Sequence, residues 1–84
     1  MEAFETNFKA LDDAGRRTKL FNIVMFLRQQ NSNEQADAFQ ELAACYPTFL
    51  PFPSPERELR ELIAWRKVAR FLGHPTVAHI LRQG

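Results

Sequence analysis

Cysteine is almost missing from this sequence. Cys45 is the only one, so no disulfide can close within the chain. Glycine is scarce as well, with three among 84 residues, and none of them sits in the Gly-rich loop that cradles phosphates. No run of about 18 apolar residues occurs that could cross a bilayer, and the start lacks the charged-then-apolar pattern of a secretory signal. A cytoplasmic protein with no membrane partner is expected from these absences. Strict alternation of polar and apolar residues is also lacking, as are internal repeats and low-complexity tracts, which argues against strands and repeat architectures.

What remains is helical. The chain is 45% hydrophobic and 25% charged with a net charge of +1, enough apolar surface for a folded state and too little net charge for a disordered one. Its length suits one domain over residues 1–84. Phe4, Phe8 and Leu11 recur at i, i+4 and i+7, the spacing of a short amphipathic helix. Asp12, Asp13 and Gly15 then offer a break or a fresh N-cap. From about Ala14 to Gln30 a second helix is predicted, whose centre LFNIVMFL is apolar nearly all round. Such a helix must be covered on more than one side, either as the centre of a bundle or as an interface with a partner. Phe21, Met25 and Phe26 are therefore candidate protein-binding residues, and self-association through residues 20–27 is one expectation.

Asn31, Ser32 and Asn33 are turn and cap residues, predicting a third helix through Ala36, Phe39, Leu42 and Ala43 that must stop by Pro47. The stretch YPTFLPFPSP, residues 46–55, carries four prolines with Tyr46, Phe49, Leu50 and Phe52. Proline fixes φ and removes donors, so an extended strap is predicted, either packed across the bundle or presenting Phe49 and Phe52 to a partner. Ser54, Pro55 and Glu56 then read as N-cap, first helical residue and dipole-compatible acid. The helix they open is predicted to bury Leu59, Leu62, Ile63, Ala69 and Leu72, with Trp65 at the core edge and a further candidate anchor. Glu56–Arg60 and Arg57–Glu61 are spaced as i, i+4 ion pairs. Gly73 is predicted to cap this helix, and Pro75 to open a last one with Val77, Ile80 and Leu81. The expected fold is thus all-α, a compact bundle of four to five helices with a Pro/aromatic-rich connecting strap.

Charge is segregated along the chain. No acid follows Glu61, while Arg66, Lys67, Arg70 and Arg82 lie beyond it. The segment VARFLGHPTVAHIL resembles a helix-turn-helix of the repressor kind over about residues 66–82, with a shorter turn than the usual motif. The resemblance implies a small DNA-binding regulator but assigns no base-contacting residue; the candidate nucleic-acid contacts, Arg66, Lys67, Arg70 and Arg82, come from the charge segregation. The sequence pI of about 8.0 lies below the value above about 9 that marks domains bound mainly through phosphates.

Catalytic patterns are poorly represented. His74 and His79 are five residues apart, not the i, i+4 spacing that aligns two metal ligands on a helix. Neither a metal nor a cofactor is expected, and Cys45 reads as a small buried hydrophobe. The function expected first is therefore a non-enzymatic protein-binding module. An adaptor, regulatory subunit or inhibitor would fit, and small inhibitors of phage or mobile elements have such a size and composition. Its partner would be another protein or a second copy, with nucleic acid the alternative.

Overall fold

Asp12 starts the longest helix of the molecule. Its Oδ1 accepts a hydrogen bond from the Gly15 backbone N–H at 2.7 Å, satisfying one of the donors that every helix start leaves open. Gly15 allows the close approach, since a Cβ there would stand 3.1 Å from the same oxygen and 3.3 Å from Leu11 Cβ. In the computed structural model, which describes residues 2–46 and 55–83, this helix is the second of five. They are α1 (Glu2–Lys9), α2 (Asp13–Gln29), α3 (Asn33–Ala43), α4 (Pro55–Ala69) and α5 (Pro75–Gln83), and the described residues hold no strand. The expected all-α bundle is what forms. Most of the strap, with Phe49 and Phe52, lies outside the described residues.

The turn after α2 has a definite chemistry. Asn31 adopts a left-handed φ of 59°, and the Ser32 N–H reaches back to the Leu27 carbonyl at 2.8 Å while the Asn31 N–H reaches Arg28 at 3.1 Å. These two bonds are a Schellman close, with asparagine in the position usually held by glycine. The reversal lays α3 against α2, where Ala36, Phe39 and Leu42 of α3 meet Leu20, Val24 and Leu27 of α2 in one buried cluster. Phe4 and Phe8 of α1, Ala64 and Val68 of α4, Val77 and Leu81 of α5, and Tyr46 belong to it as well. The radius of gyration, 12.2 Å, is close to the roughly 12 Å of a compact chain this long. Among the described residues no helix is long and apolar enough to cross a membrane.

Three local expectations change. Gly73 does not cap α4 in left-handed fashion, because its φ is not positive. The helix ends at Ala69, and i+3 bonds from Phe71 to Val68 and from His74 to Phe71, both 2.9 Å, carry the chain into α5. A turn of this kind needs no left-handed residue. Glu56 and Arg60 form no ion pair among the described residues, whereas Arg57 and Glu61 do, at 3.1 Å. Finally, Leu59, Leu62 and Ile63 are not core residues but stand 58%, 50% and 48% exposed, with Ala69 exposed beside them.

Candidate interaction surface

The exposure of those three side chains follows from how α4 is attached. The helix packs chiefly on α3, and Ala64 and Val68 are its two buried residues. Both are small and one turn apart, so α4 sits close to its neighbour along a narrow stripe. Leu59 precedes Ala64 by five positions, which at 100° per residue places it about 140° around the helix, on the solvent side. Leu62 and Ile63 flank it. The result is an apolar ridge along the outside of α4, where a single exposed leucine would be unremarkable but three clustered aliphatics form a patch.

A depression runs along each side of this ridge. The larger, about 390 Å³, lies between α1 and α4, with Glu5 and Lys9 on one wall and Leu62, Trp65, Arg66 and Leu72 on the other. The smaller, about 190 Å³, lies towards α3 between Glu41, Cys45, Arg60 and Ile63. Charge is uneven along the ridge, with exposed Arg60 between its acidic start and its basic end. Glu56 and Glu58 are exposed in the first turn, and Arg66 and Arg70 are exposed at and just beyond the other end. None of these four forms an ion pair among the described residues.

The inner side of α4 is held by a polar clamp. Arg57 donates from Nη1 and Nη2 to the two carboxylate oxygens of Asp13 at 2.9 and 2.7 Å, and from Nε to Glu61 at 3.1 Å. The Tyr46 hydroxyl donates to the other Glu61 oxygen at 3.0 Å. Arg57 and Arg16 place their guanidinium groups 5.2 and 5.4 Å from the Tyr46 ring centroid, within reach of cation–π attraction. Arg16 in turn donates to the carbonyls of Phe8 and Lys9 at the end of α1. One cluster therefore joins α1, the start of α2, Tyr46 and α4.

The clamp perturbs its members' protonation in a consistent direction. Arg57 hydrogen bonds hold the Asp13 carboxyl below its ordinary range, and the same bonds raise Arg57. Burial, reinforced by the charge and hydrogen bond of Glu61, pushes the Tyr46 phenol up to about 12. Each carboxylate of the clamp already accepts from a cation or a hydroxyl, so the arrangement fixes the position of α4. Cys45 is buried, its Sγ lies 3.6 Å from the Glu41 carbonyl, and burial raises its thiol. A raised, enclosed thiol is a packing group. No group of three or more His, Cys, Asp or Glu residues among those described is placed to hold a metal.

The candidate residues read from the sequence fall in different places. Of the α2 set, Met25 is 61% exposed, Phe21 is half-buried beneath the Arg17 guanidinium, and Phe26 is half-buried against the His79 ring of α5. Trp65 is half-buried, its ring edge-on to Phe8 at 5.3 Å. It faces the larger depression together with Arg66. Lys67 points elsewhere, to Glu41 at 2.8 Å, and Arg82 donates to the Ala78 carbonyl of its own helix. Arg70 is exposed. Apolar spacing alone places the ridge residues Leu59, Leu62 and Ile63 in the core, and the signal that separates them is the pair of small residues, Ala64 and Val68, on the opposite side. No protein-family model matches this chain, no curated protein matches it, and no solved structure matches its fold.

Proposed function

We propose that the protein acts by binding another protein through the outer face of α4, as an adaptor, regulatory subunit or inhibitor rather than as an enzyme. The observation that carries this reading is the cluster of Leu59, Leu62 and Ile63, each about half exposed on one helix. Fully burying an aliphatic side chain yields roughly 1.5–3 kcal/mol. Three side chains left half bare therefore hold on the order of 3 kcal/mol that a partner can recover. The flanking depressions and the charged ends supply the shape and polar rim of a binding site. A cytoplasmic setting suits the single unpaired Cys45. A nucleic-acid role has less support, since Lys67 and Arg82 are already engaged within the chain.

The test is a combined Leu59→Ser, Leu62→Ser, Ile63→Ser variant. Helicity and melting temperature are expected to stay near those of the native chain, while proteins retained from native lysate on the immobilised chain are lost. A variant that unfolds would show that the ridge serves the fold, and unchanged retention would show that binding lies elsewhere. Retention of DNA at low salt that weakens steeply with added salt would move the reading to nucleic acid.

A further inference from the structure

We infer that the partner which fits the α4 ridge is a second copy of the same chain, docked antiparallel across a two-fold axis near Leu62. The inference rests on the reading of α4 as a binding face and names its occupant. The first ground is charge. Along the ridge, Glu56 and Glu58 stand at one end and Arg66 and Arg70 at the other, all four exposed and without ion pairs among the described residues. A second α4 laid antiparallel puts the acidic end of each copy beside the basic end of the other, twice. Laid parallel, it would set acid on acid and base on base, a juxtaposition that disfavours the wrong arrangement.

The second ground is shape. A two-fold interface must be complementary to itself, because the same patch serves both subunits. Here a ridge, Leu59, Leu62 and Ile63, runs beside a depression of about 390 Å³ walled by Trp65 and Leu72 on one side and α1 on the other. Rotating a copy about an axis at Leu62 brings its ridge towards that depression and offers the reverse contact at the same time. Helices pack in this way, ridges of one entering grooves of the other. The third ground is size. A 15-residue helix is about 22 Å long, so one helix with its α1 wall gives an interface below the standard size of about 800 Å² per partner, in the range of weak, reversible association. Association in the micromolar range is expected.

The experiment uses the full chain and pairs of charge reversals. Sedimentation equilibrium of the native chain from micromolar to millimolar concentration should show mass rising from 9.8 kDa towards twice that value. The variant Glu56→Lys, Glu58→Lys makes both ends basic, and the variant Arg66→Glu, Arg70→Glu makes both ends acidic. Each alone should weaken self-association by about tenfold or more at low salt, since both repulsions occur twice. Mixed together they should form a heterodimer, because every reversed end then meets its opposite. Recovery on mixing also shows that both variants are folded. A Leu62→Arg variant provides a second route, expected to be monomeric and to melt like the native chain at concentrations where that chain is itself monomeric. A native chain that stays monomeric at millimolar concentration overturns the inference, as does a pair of variants that fail to combine although circular dichroism shows each folded. If the chain is monomeric yet Leu62→Arg abolishes retention of a different protein, self-association fails and the protein-binding reading stands. If neither is seen, both fail.

Discussion

Two helices of this molecule carry apolar residues on more than one side, and they end in opposite situations. α2 is covered: Leu20, Ile23, Val24 and Leu27 are buried, Phe21 and Phe26 are half-buried, and of its large apolar side chains only Met25 is exposed. α4 buries Ala64 and Val68 and leaves Leu59, Leu62 and Ile63 half bare. The difference lies in neighbours rather than in composition. α2 has α3 along one side and α5 along another, whereas α4 is packed chiefly on α3. An apolar surplus is therefore resolved by enclosure in one helix and left open in the other.

The widest gap should appear when one leucine is shortened on each helix. Leu27 is fully buried in α2, so Leu27→Ala is expected to cost about 2–5 kcal/mol through lost transfer energy and the cavity left behind. Leu59→Ala should change stability by no more than about 0.5 kcal/mol, as surface substitutions do. Urea unfolding followed by circular dichroism reads both. Equal costs would mean that α4 is as enclosed as α2, and the contrast between the two would collapse.

The contrast also explains what was legible in the sequence. Helix starts were, because they depend on local chemistry: Asp12 with Gly15, Pro55 with its following acids, and Pro75 all act within one turn. The enclosure of α2 was half legible, since its centre reads as covered without saying by what. The rotation of α4 was not. Nine apolar residues from Leu59 to Leu72 are distributed nearly all round the helix, so apolar spacing alone does not name the inward face. Ala64 and Val68 mark the inward stripe by their small size, and Arg57 meeting Asp13, 44 positions away in the chain, helps to hold it there. No spacing rule reaches that far. The aromatic strap drew notice for its rings, but of these Tyr46 alone is described, buried and tied to Glu61.

If the clamp sets the rotation of α4, removing its central cation should be felt next most strongly. Arg57→Met leaves Asp13 and Glu61 without their shared donor and is expected to cost about 1–3 kcal/mol. The loss should depend on pH with a defined sign. Asp13 titrates in the native chain below its ordinary value of 3.8, so the unfolded chain takes up its proton first as pH falls. Its contribution is complete at neutral pH, declines once pH drops towards 4, and is gone below the native value. Native and variant stabilities, measured by urea melts at descending pH, should therefore converge in acid. A constant difference down to strongly acid pH would show that Arg57 acts through packing alone.

The smallest effect concerns the tyrosine that joins the clamp to the covered core. Tyr46→Phe removes one hydrogen bond to a carboxylate that Arg57 still holds, and the ring remains to pack, so about 0.5–1.5 kcal/mol should be lost at neutral pH. A sharper readout lies in alkali. The phenol is buried beside Glu61, which raises it from 10.0 to about 12, and a group raised in this way stabilises the native state below its unfolded value and ceases to do so as pH climbs through the native one. Tyr46 is the only tyrosine in the chain, so phenolate absorbance reports on it without ambiguity. The native midpoint should fall near 12 and move to about 10 in denaturant. Stability of the native chain should then decline with pH between those two values, while Tyr46→Phe should lack that part of the decline. A native midpoint near 10 would place the hydroxyl in water and detach Tyr46 from Glu61. The inner face of α4 would then lose its tie to Tyr46 and rest on Arg57, Ala64, Val68 and the Trp65 contact with Phe8, which would weaken the account of why its leucines point outward.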